Sequence, residues 1–411
     1  MSRWRVIVVG HAISPLRGSE PGNTWNWAWH LSRHLPVDVV AFPQYRQEVD
    51  AFLAEHPNPH LRLHWVALRG WDPWNPQKGE RGIRLHYLLW LREAYRVVEG
   101  LVGESPVPSV VHHVSWGTVS APPPPLRTAP LVWGPLGGGQ VAPAAFRGYF
   151  GGHWPKEVLR SYRVKLLPLI PGWRRAVRGL PMVLATNRET EALLIKGGAR
   201  RVQPFLDTGV PQNFGLAHPP QEARRGGSLR LLWAGRFEAI KAFPLALRAL
   251  AQVRGPVELW VAGDGPLARE WREEAQRLGL GERVRFLGRL PWSEMKGVFA
   301  KAHAFLFTSL RDSSGAVVLE AMAHGLPVIT LDHQGMGTFL PAEAAIKVPV
   351  REPRTTVRGL AEAMERLAQD EGLRLSMAQA AWRFAQEERW DRRAERMLSL
   401  YEEVLDAHRH L

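Results

Sequence analysis

The chain has 411 residues, 45% of them hydrophobic and 22% charged, which predicts a soluble globular protein of two domains. It contains no cysteine, so disulfides and thiolate chemistry are excluded. Lysine and arginine number 53 against 39 acidic residues, and the resulting charge of +14 favours anionic partners: nucleotide phosphates, acidic lipid or nucleic acid.

The chain start predicts a cytoplasmic protein. The first residues, MSRWRVIVVG, lead directly into a predicted strand and lack the apolar segment and cleavage site of a signal peptide. No apolar run of about 18 residues is present, so no membrane-spanning helix is expected.

The first strand-and-helix unit predicts the beginning of a doubly wound parallel sheet. Arg5–Val9 is a continuous apolar strand, and a helix is predicted over Asn23–Leu35. The loop between them contains Gly18 and Gly22, which allow a close backbone approach to a ligand. An ordinary surface loop is the alternative interpretation.

Two later strands of the first half carry candidate ligand groups. Residues 110–114 form a predicted strand with His112 and His113, which face opposite sides and therefore cannot form one metal pair. A histidine that is hydrogen-bonded within the core is the alternative for either ring. The strand Leu131–Trp133 enters a triple-glycine loop in which Gly138 allows the backbone to pass close to a ligand or another chain segment.

The segment 156–178 is strongly basic, with seven lysines and arginines against the single acid Glu157. Apolar residues alternate with these cations, a pattern that suits an anionic bilayer surface, although Pro168 and Pro171 interrupt any single long helix. A solvated basic face is the alternative. Nucleic acid is not favoured, because no nucleic-acid motif accompanies the basic run.

The second half begins after a polar stretch with glycine and proline that follows residues 205–211 and runs through Gly227, and this stretch is predicted to link the domains. The strand Leu229–Ala234 leads to Arg236, and Lys241 opens a predicted helix through residue 253. Two fixed cations near a helix start suit a diphosphate, although surface charge is the alternative. The strand Val257–Ala262 then runs into Gly263 and Gly265.

The most informative stretch is 312–327, which lies between two buried apolar runs, 303–310 and 327–331. Apolar residues recur in it at helical spacing after a loop of small residues that ends at Gly315. A helix N-terminus favours an anion, and the carboxylates Asp312 and Glu320 flank this one. An ordinary α/β helix with one buried glutamate is the alternative.

The sequence DSSGAVVLEAMAHGLPV, residues 312–328, resembles the E-x7-E motif of retaining glycosyltransferases of family-four (group 1) type, whose usual form is EGFGxxxxEAMAxGxPV. Asp312 stands in the place of the first glutamate. The spacing of Arg236 and Lys241 matches the donor-phosphate motif of that family, with Ala242 where glycine is usual, and Gly263-Asp264-Gly265-Pro266 matches another of its signatures.

The resemblance implies the GT-B architecture, which is two doubly wound, Rossmann-like parallel-sheet domains facing across a cleft. Residues 1–208 are expected to form the acceptor-side domain, joined by a C-terminal helix in 388–411. Residues 209–387 are expected to bind the nucleotide sugar. The implied reaction moves a sugar from a nucleotide-diphosphate sugar to a glycan or lipid-linked acceptor, with retention of configuration, no metal and no cofactor besides the donor.

The same resemblance implies roles for individual residues. Arg236 and Lys241 stabilise the diphosphate, Asp312 contacts hydroxyls of the transferred sugar, and Glu320 accepts hydrogen bonds from the ribose. Both carboxyl groups are expected to be ionised. The further binding positions are Gly18, Gly263, Gly265, Gly315, Ala316 and Val317, with Gly138 added from the triple-glycine loop alone. The remaining catalytic candidate is His113, with His112 as its competitor, because the resemblance implies a histidine that points into the cleft.

Other functions remain open at this point. A nucleotide-sugar epimerase on the same architecture needs no acceptor, and a non-catalytic sugar- or lipid-binding relative is favoured by the shorter side chain of Asp312. A dinucleotide oxidoreductase is disfavoured, because the first strand is not followed by G-x-G-x-x-G. An enzyme with a lipid-linked glycan as acceptor, peripheral on the inner face of the membrane, is the favoured interpretation.

Overall fold

The computed structural model of the chain describes residues 4–68, 70–71, 82–222 and 227–409. The strands in these ranges are β1 (Arg5–Val9), β2 (Val37–Ala41), β3 (Leu61–Trp65), β4 (Ser109–His113), β5 (Leu131–Leu136), β6 (Met182–Ala185), β7 (Val202–Pro204), β8 (Leu229–Ala234), β9 (Val257–Ala262), β10 (Val284–Gly288), β11 (Ala304–Phe307), β12 (Val328–Leu331) and β13 (Ala345–Val348). The helices are α1 (Ser19–Leu31), α2 (Arg46–Glu55), α3 (Ile83–Gly103), α4 (Trp154–Leu166), α5 (Pro171–Gly179), α6 (Arg188–Gly197), α7 (Phe243–Leu250), α8 (Ala268–Arg277), α9 (Trp292–Lys301), α10 (Ala316–Ala323), α11 (Gln334–Phe339), α12 (Pro353–Gln369), α13 (Glu371–Glu387) and α14 (Trp390–Arg409).

The chain divides into two compact units. Unit 1 contains Met1–Gly139, Arg163–Thr208 and Trp390–Leu411, and unit 2 contains Gln140–Tyr162 and Gly209–Arg389. The division differs from the predicted one in residues 140–162, which belong to unit 2. The reason is apolar burial: Phe146 and Phe150 from this segment are buried in the hydrophobic core of unit 2.

Unit 1 is built on a parallel sheet of strand order β3-β2-β1-β4-β5-β6-β7. Both faces of the sheet are covered, as continuous apolar strands require. Along β1, Val6 and Val8 face one core and Ile7 and Val9 face the other. Helix α14 covers the first of these faces together with α1, and its buried side chains follow the spacing of one helical face.

Unit 2 is built on a second parallel sheet, of order β10-β9-β8-β11-β12-β13. From β8 the chain moves outward to β10, and it then returns to the other side of β8 for β11 to β13. The strand order therefore reverses between β8 and β11, which is where open α/β sheets bind ligands at the carboxyl ends of their strands. Two parallel-sheet α/β domains, the predicted fold class, are thus confirmed.

Several elements begin or end elsewhere than predicted. Helix α1 begins at Ser19 rather than Asn23, because its proline, Pro21, lies in the first turn, where a missing N–H is harmless. Helix α7 begins at Phe243 rather than Lys241, because Ala242 has a positive φ of 45° and interrupts the helix. Part of the predicted linker, residues 223–226, lies outside the described residues.

None of the helices in the described ranges combines the length and the apolar character needed to cross a bilayer.

Candidate functional site

A cavity of about 560 Å³ lies in unit 2 at the carboxyl ends of β8, β9 and β10, beside helix α10. Its volume is within the usual range of small-molecule sites. The lining combines the loops after these three strands with side chains from α9 and α10, and consists of Ala234, Gly235, Arg236, Ala262, Gly263, Asp264, Gly265, Arg289, Leu290, Met295, Val317 and Glu320. Five residues predicted from three separate motifs therefore lie around one cavity.

The loops after β8 and β9 pack too closely for side chains at the two predicted glycines. A Cβ on Gly263 would lie 1.9 Å from the carbonyl oxygen of Gly235, and the φ of Gly263 is +144°. A Cβ on Gly265 would lie 2.8 Å from the backbone nitrogen of Phe237. The two glycines thus bring backbone, rather than side chains, to the wall of the cavity.

Glu320 projects from α10 into the cavity, and its carboxyl group accepts a hydrogen bond of 3.2 Å from the indole Nε1 of Trp292. Burial raises the pKa of Glu320 to about 7, against the opposing effect of that hydrogen bond. This differs from the prediction that Glu320 is fully ionised, because the cavity wall removes water from the carboxyl group. Near pH 7 the group is present in both protonation states.

Lys241 and Asp312, predicted as separate contacts to the donor, form an ion pair with each other in the structure. Both side chains are about four-fifths buried, with 22% and 21% exposure. The chain around Lys241 is fixed by Thr308, whose hydroxyl donates to the carbonyl of Lys241 at 3.0 Å. Arg236 is more exposed, and its guanidinium pairs with Glu238 at 2.8 Å.

Gly315 forms the N-cap of α10 in the left-handed conformation, with a φ of +59°. Ala316 and Val317 follow as the first residues of the helix, so their N–H groups have no partner within it. The preceding loop is held by Gln334, whose side-chain oxygen accepts from the backbone N–H of Asp312 at 2.7 Å. Its amide nitrogen donates to the carbonyl of Leu310 at 3.1 Å.

Sequence reasoning missed Arg289, Trp292 and Gln334. Arg289 follows β10 and adds a second cation to the cavity lining. Its position at the end of a strand was a signal in the sequence. That Arg289 lies around the same cavity as Arg236, however, depends on the order of the strands in the sheet. For Trp292 and Gln334 no local signal was available, because their partners Glu320 and Asp312 lie more than twenty residues away.

His113 lies in the core of unit 1, whereas its side chain was predicted to point into the cleft. Its side chain is fully buried, with Nε2 at 3.0 Å from the hydroxyl of Tyr87 and Nδ1 at 3.1 Å from that of Tyr95. Burial, together with the nearby His112, lowers the pKa of His113 to about 3. Its neighbour His112 faces the opposite side of the sheet, where it contacts Tyr401 and the carbonyl of Gly134. Both rings are therefore core histidines.

Of the two glycines predicted to bind ligand in unit 1, Gly138 is required by local packing and Gly18 is not. Gly138 has a φ of +97°, and a Cβ there would lie 2.7 Å from the hydroxyl of Thr118. Gly18 precedes α1, and a Cβ there would meet nothing within 4 Å. In this loop it is Gly22 that needs to lack a side chain, since its Cβ would lie 2.1 Å from the carbonyl oxygen of Arg17.

Comparison with known proteins finds a family match within unit 2. Residues 228–370 match the model of the family described as glycosyl transferases group 1. The chain is 32% identical over 147 residues to the lipopolysaccharide core biosynthesis glycosyltransferase LpsE of Rhizobium meliloti, covering 35% of this chain and 41% of that protein. It is 31% identical over 191 residues to the D-inositol 3-phosphate glycosyltransferase of Salinispora tropica, covering 43% and 39%. The matches thus span about two fifths of the length of these relatives.

A solved structure resembles nearly the whole chain. The crystal structure of Anabaena Alr3699/HepE in complex with UDP and glucose superposes with a TM-score of 0.60 and 16% identity, covering 97% of this chain and 99% of that one. At that identity the likeness shows the fold, and the fold is of the GT-B type.

Proposed function

Because residues 228–370 match the model of the group 1 glycosyl transferases, we propose that the protein transfers a sugar from a nucleotide-diphosphate sugar to an acceptor. The observation that carries the proposal is the convergence of Arg236, Gly263, Gly265, Val317 and Glu320 on one cavity. UDP is the first nucleotide to test, since HepE was crystallised with it.

In the proposed reaction, the donor diphosphate lies between Arg236, Lys241 and the N-terminus of α10. These positive groups stabilise charge that builds on the diphosphate as the sugar bond breaks. Lys241 also holds Asp312, so the carboxylate is positioned to accept hydrogen bonds from hydroxyls of the transferred sugar. Glu320, oriented by Trp292, accepts hydrogen bonds from the ribose.

We propose retention of configuration and independence from metal ions for this transfer. NMR of the first product formed would show the anomeric configuration, and an inverted product contradicts retention. Activity that is lost in EDTA and restored by a divalent cation contradicts metal independence.

The experiment for the donor site combines nucleotide binding with turnover. UDP, GDP and ADP are tested by thermal shift, and the nucleotide that binds is titrated calorimetrically into wild type and Glu320→Gln. Loss of the carboxylate is expected to raise Kd about tenfold. Lys241→Ala is expected to lower donor turnover about a hundredfold or more, and to destabilise the protein by about 1–3 kcal/mol because the largely buried Asp312 carboxylate loses its ion-pair partner.

Lys196→Ala, an exposed lysine on α6 in unit 1, serves as the control and should match wild type in both measurements. Unchanged affinity in Glu320→Gln contradicts the ribose contact. Unchanged turnover in Lys241→Ala contradicts the phosphate role.

For the acceptor we propose a glycan or lipid-linked molecule used at the cytoplasmic face of a membrane. Support comes from unit 1, where Leu166, Leu169 and Ile170 are each about half exposed or more among the cations Lys165 and Arg163. Basic and apolar groups together favour an anionic leaflet. Flotation with liposomes that contain or lack anionic lipid tests this, and binding that does not depend on anionic lipid contradicts it.

A further inference from the structure

A second cavity, of about 320 Å³, lies in unit 2 next to the loops after β8 and β9, which also line the donor cavity. Its charged lining is mostly cationic, with Lys156 and Arg160 from α4 and Arg311 from the loop after β11. The acids in the lining are Glu157, which is almost fully buried, and Glu238, which already pairs with Arg236. The basic run seen in the sequence is therefore split, and its first members belong to this cavity.

The two arginines among these cations are held in place by contacts within unit 2. Arg311 Nε donates to Glu157 Oε2 at 2.9 Å, and Arg160 Nη1 lies 3.6 Å from Glu157 Oε1. Arg160 also donates to the carbonyl of Gln140 at 2.8 Å. Two arginines thus share one buried carboxylate, with Lys156 as a third cation in the lining, and burial and the nearby Arg311 lower the pKa of Arg160. A bound anion would relieve this excess of positive charge.

The helix that carries Lys156 and Arg160 is anchored rather than loosely attached. Phe146 and Phe150, just before α4, lie in the core of unit 2, and the ring of Tyr149 stacks under the guanidinium of Arg248 at 4.8 Å. The apolar part of the cavity wall includes Phe150, Ile240 and Leu267. The cavity therefore suits a phosphate joined to a ring or chain.

The position of the cavity relates it to the transfer reaction. Ile240 precedes Lys241 and Arg311 precedes Asp312, so the residues that form the ion pair beside the donor directly follow two residues of the cavity wall. Leu267 likewise follows the Gly263–Gly265 loop of the donor cavity. A molecule bound by its phosphate here would lie close to the point where the sugar is transferred.

We propose that this cavity binds the phosphate group of a phosphorylated acceptor, with Lys156, Arg160 and Arg311 as its ligands. The assignment rests on the proposed transferase function. It adds the chemical class of the acceptor: a sugar phosphate or a lipid phosphate. Arg311 donates from its remaining guanidinium nitrogens, and Glu157 keeps it in place.

The test measures binding to the full-length protein with the donor cavity saturated by the nucleoside diphosphate that binds best. Inorganic phosphate, glucose 1-phosphate and glucose are titrated by calorimetry. The variant is Lys156→Glu combined with Arg160→Gln, which leaves the Arg311–Glu157 pair intact so that the fold is preserved. Lys165→Glu, exposed on the same helix and outside the cavity lining, is the matched control.

We expect glucose 1-phosphate to bind wild type and the control alike, and more tightly than inorganic phosphate because its ring contacts the apolar wall. In the double variant its Kd should rise about tenfold or more. Equal affinity of the double variant and wild type, or no binding to wild type, overturns the site. Binding of inorganic phosphate at least as tight as that of glucose 1-phosphate assigns the cavity to a free anion and overturns the acceptor role.

Failure of the proposed function gives a different result. Glu320→Gln changes nucleotide affinity if the donor site is as proposed, and it should leave glucose 1-phosphate binding unchanged. The double variant should do the reverse. The experiments can therefore contradict one of the two proposals without contradicting the other.

Discussion

The surroundings of Glu320 change the pKa of its carboxyl group strongly. With a pKa of about 7, it is half protonated in the empty site under neutral conditions. A ribose that donates two hydroxyl hydrogen bonds favours the ionised form, so nucleotide binding should release a fraction of a proton near pH 7. The Trp292 indole, which donates to the same carboxyl group, favours the ionised form as well.

The same shift predicts a pH-dependent stability. The pKa in the folded protein lies above the ordinary value of 4.5, so the stabilising contribution is complete below that pH and is lost as pH rises through about 7. Between pH 4.5 and about 7, the free energy of unfolding of wild type should fall by up to about 3 kcal/mol relative to that of Glu320→Gln, whose side chain does not titrate. Urea unfolding of both proteins at several pH values measures the difference.

The exposed Glu294→Gln on α9 provides a control that should follow wild type throughout. Parallel pH curves for wild type and Glu320→Gln would show that water reaches the carboxyl group freely, and the proposed pH effect on nucleotide binding would then be lost too.

At the scale of elements, the donor cavity depends on how closely the loop after β8 approaches the loop after β9. Phe237 N–H donates to the carbonyl of Asp264 at 2.9 Å, and Gly263 N–H donates to that of Gly288 at 2.8 Å. These bonds connect the ends of β8, β9 and β10 without side chains. This part of the cavity wall is therefore made of backbone atoms, and a side-chain atom added at Gly263 or Gly265 would change its shape.

Gly263→Ala should consequently destabilise the protein by about 3 kcal/mol or more and abolish nucleotide binding, because the new Cβ overlaps the carbonyl of Gly235 at an unfavourable φ. Gly255→Ala, before the same strand, meets nothing within 4 Å and should change stability by less than about 1 kcal/mol. Chemical denaturation and calorimetric titration give both quantities. Wild-type nucleotide affinity in Gly263→Ala would contradict the packing argument.

Local patterns predicted much of the donor site and little of unit 1. Arg236, Gly263 and Glu320 each follow a strand within a short motif, and parallel strands bring such loops to one sheet edge. His113 has the same local context, a strand end. Its burial comes from Tyr87 and Tyr95 on α3, about twenty residues earlier, and no local pattern indicates that contact.

Across the whole molecule, neither unit is formed by one continuous piece of chain. Unit 2 contains residues 140–162, and unit 1 contains α14 from the chain end. Two parallel sheets were predictable from alternating strands and helices. That residues 140–162 belong to unit 2 was not predictable from the sequence. The aromatic residues of this segment indicate that it is buried, but they do not indicate which of the two cores it packs against.

This division predicts that a substitution in residues 140–162 weakens unit 2. Phe146→Ala should reduce the free energy of unfolding of unit 2 by about 3–5 kcal/mol, since the ring is fully buried in its core. Hydrogen exchange should accelerate mainly in peptides from 229–389. Leu159→Ala, half exposed on α4, should leave exchange unchanged. Acceleration confined to unit 1 would contradict the division.

The interleaving of the units has a consequence for biosynthesis. Helix α14 supplies Trp390, Met397 and Tyr401 to a core that β1 and α1 begin near the opposite end of the chain. A nascent polypeptide emerging from the ribosome therefore leaves one sheet face incompletely covered until α14 has been synthesised. Chaperones that recognise exposed apolar segments would have that whole interval in which to act, and premature termination before Trp390 would yield a product without a complete first core.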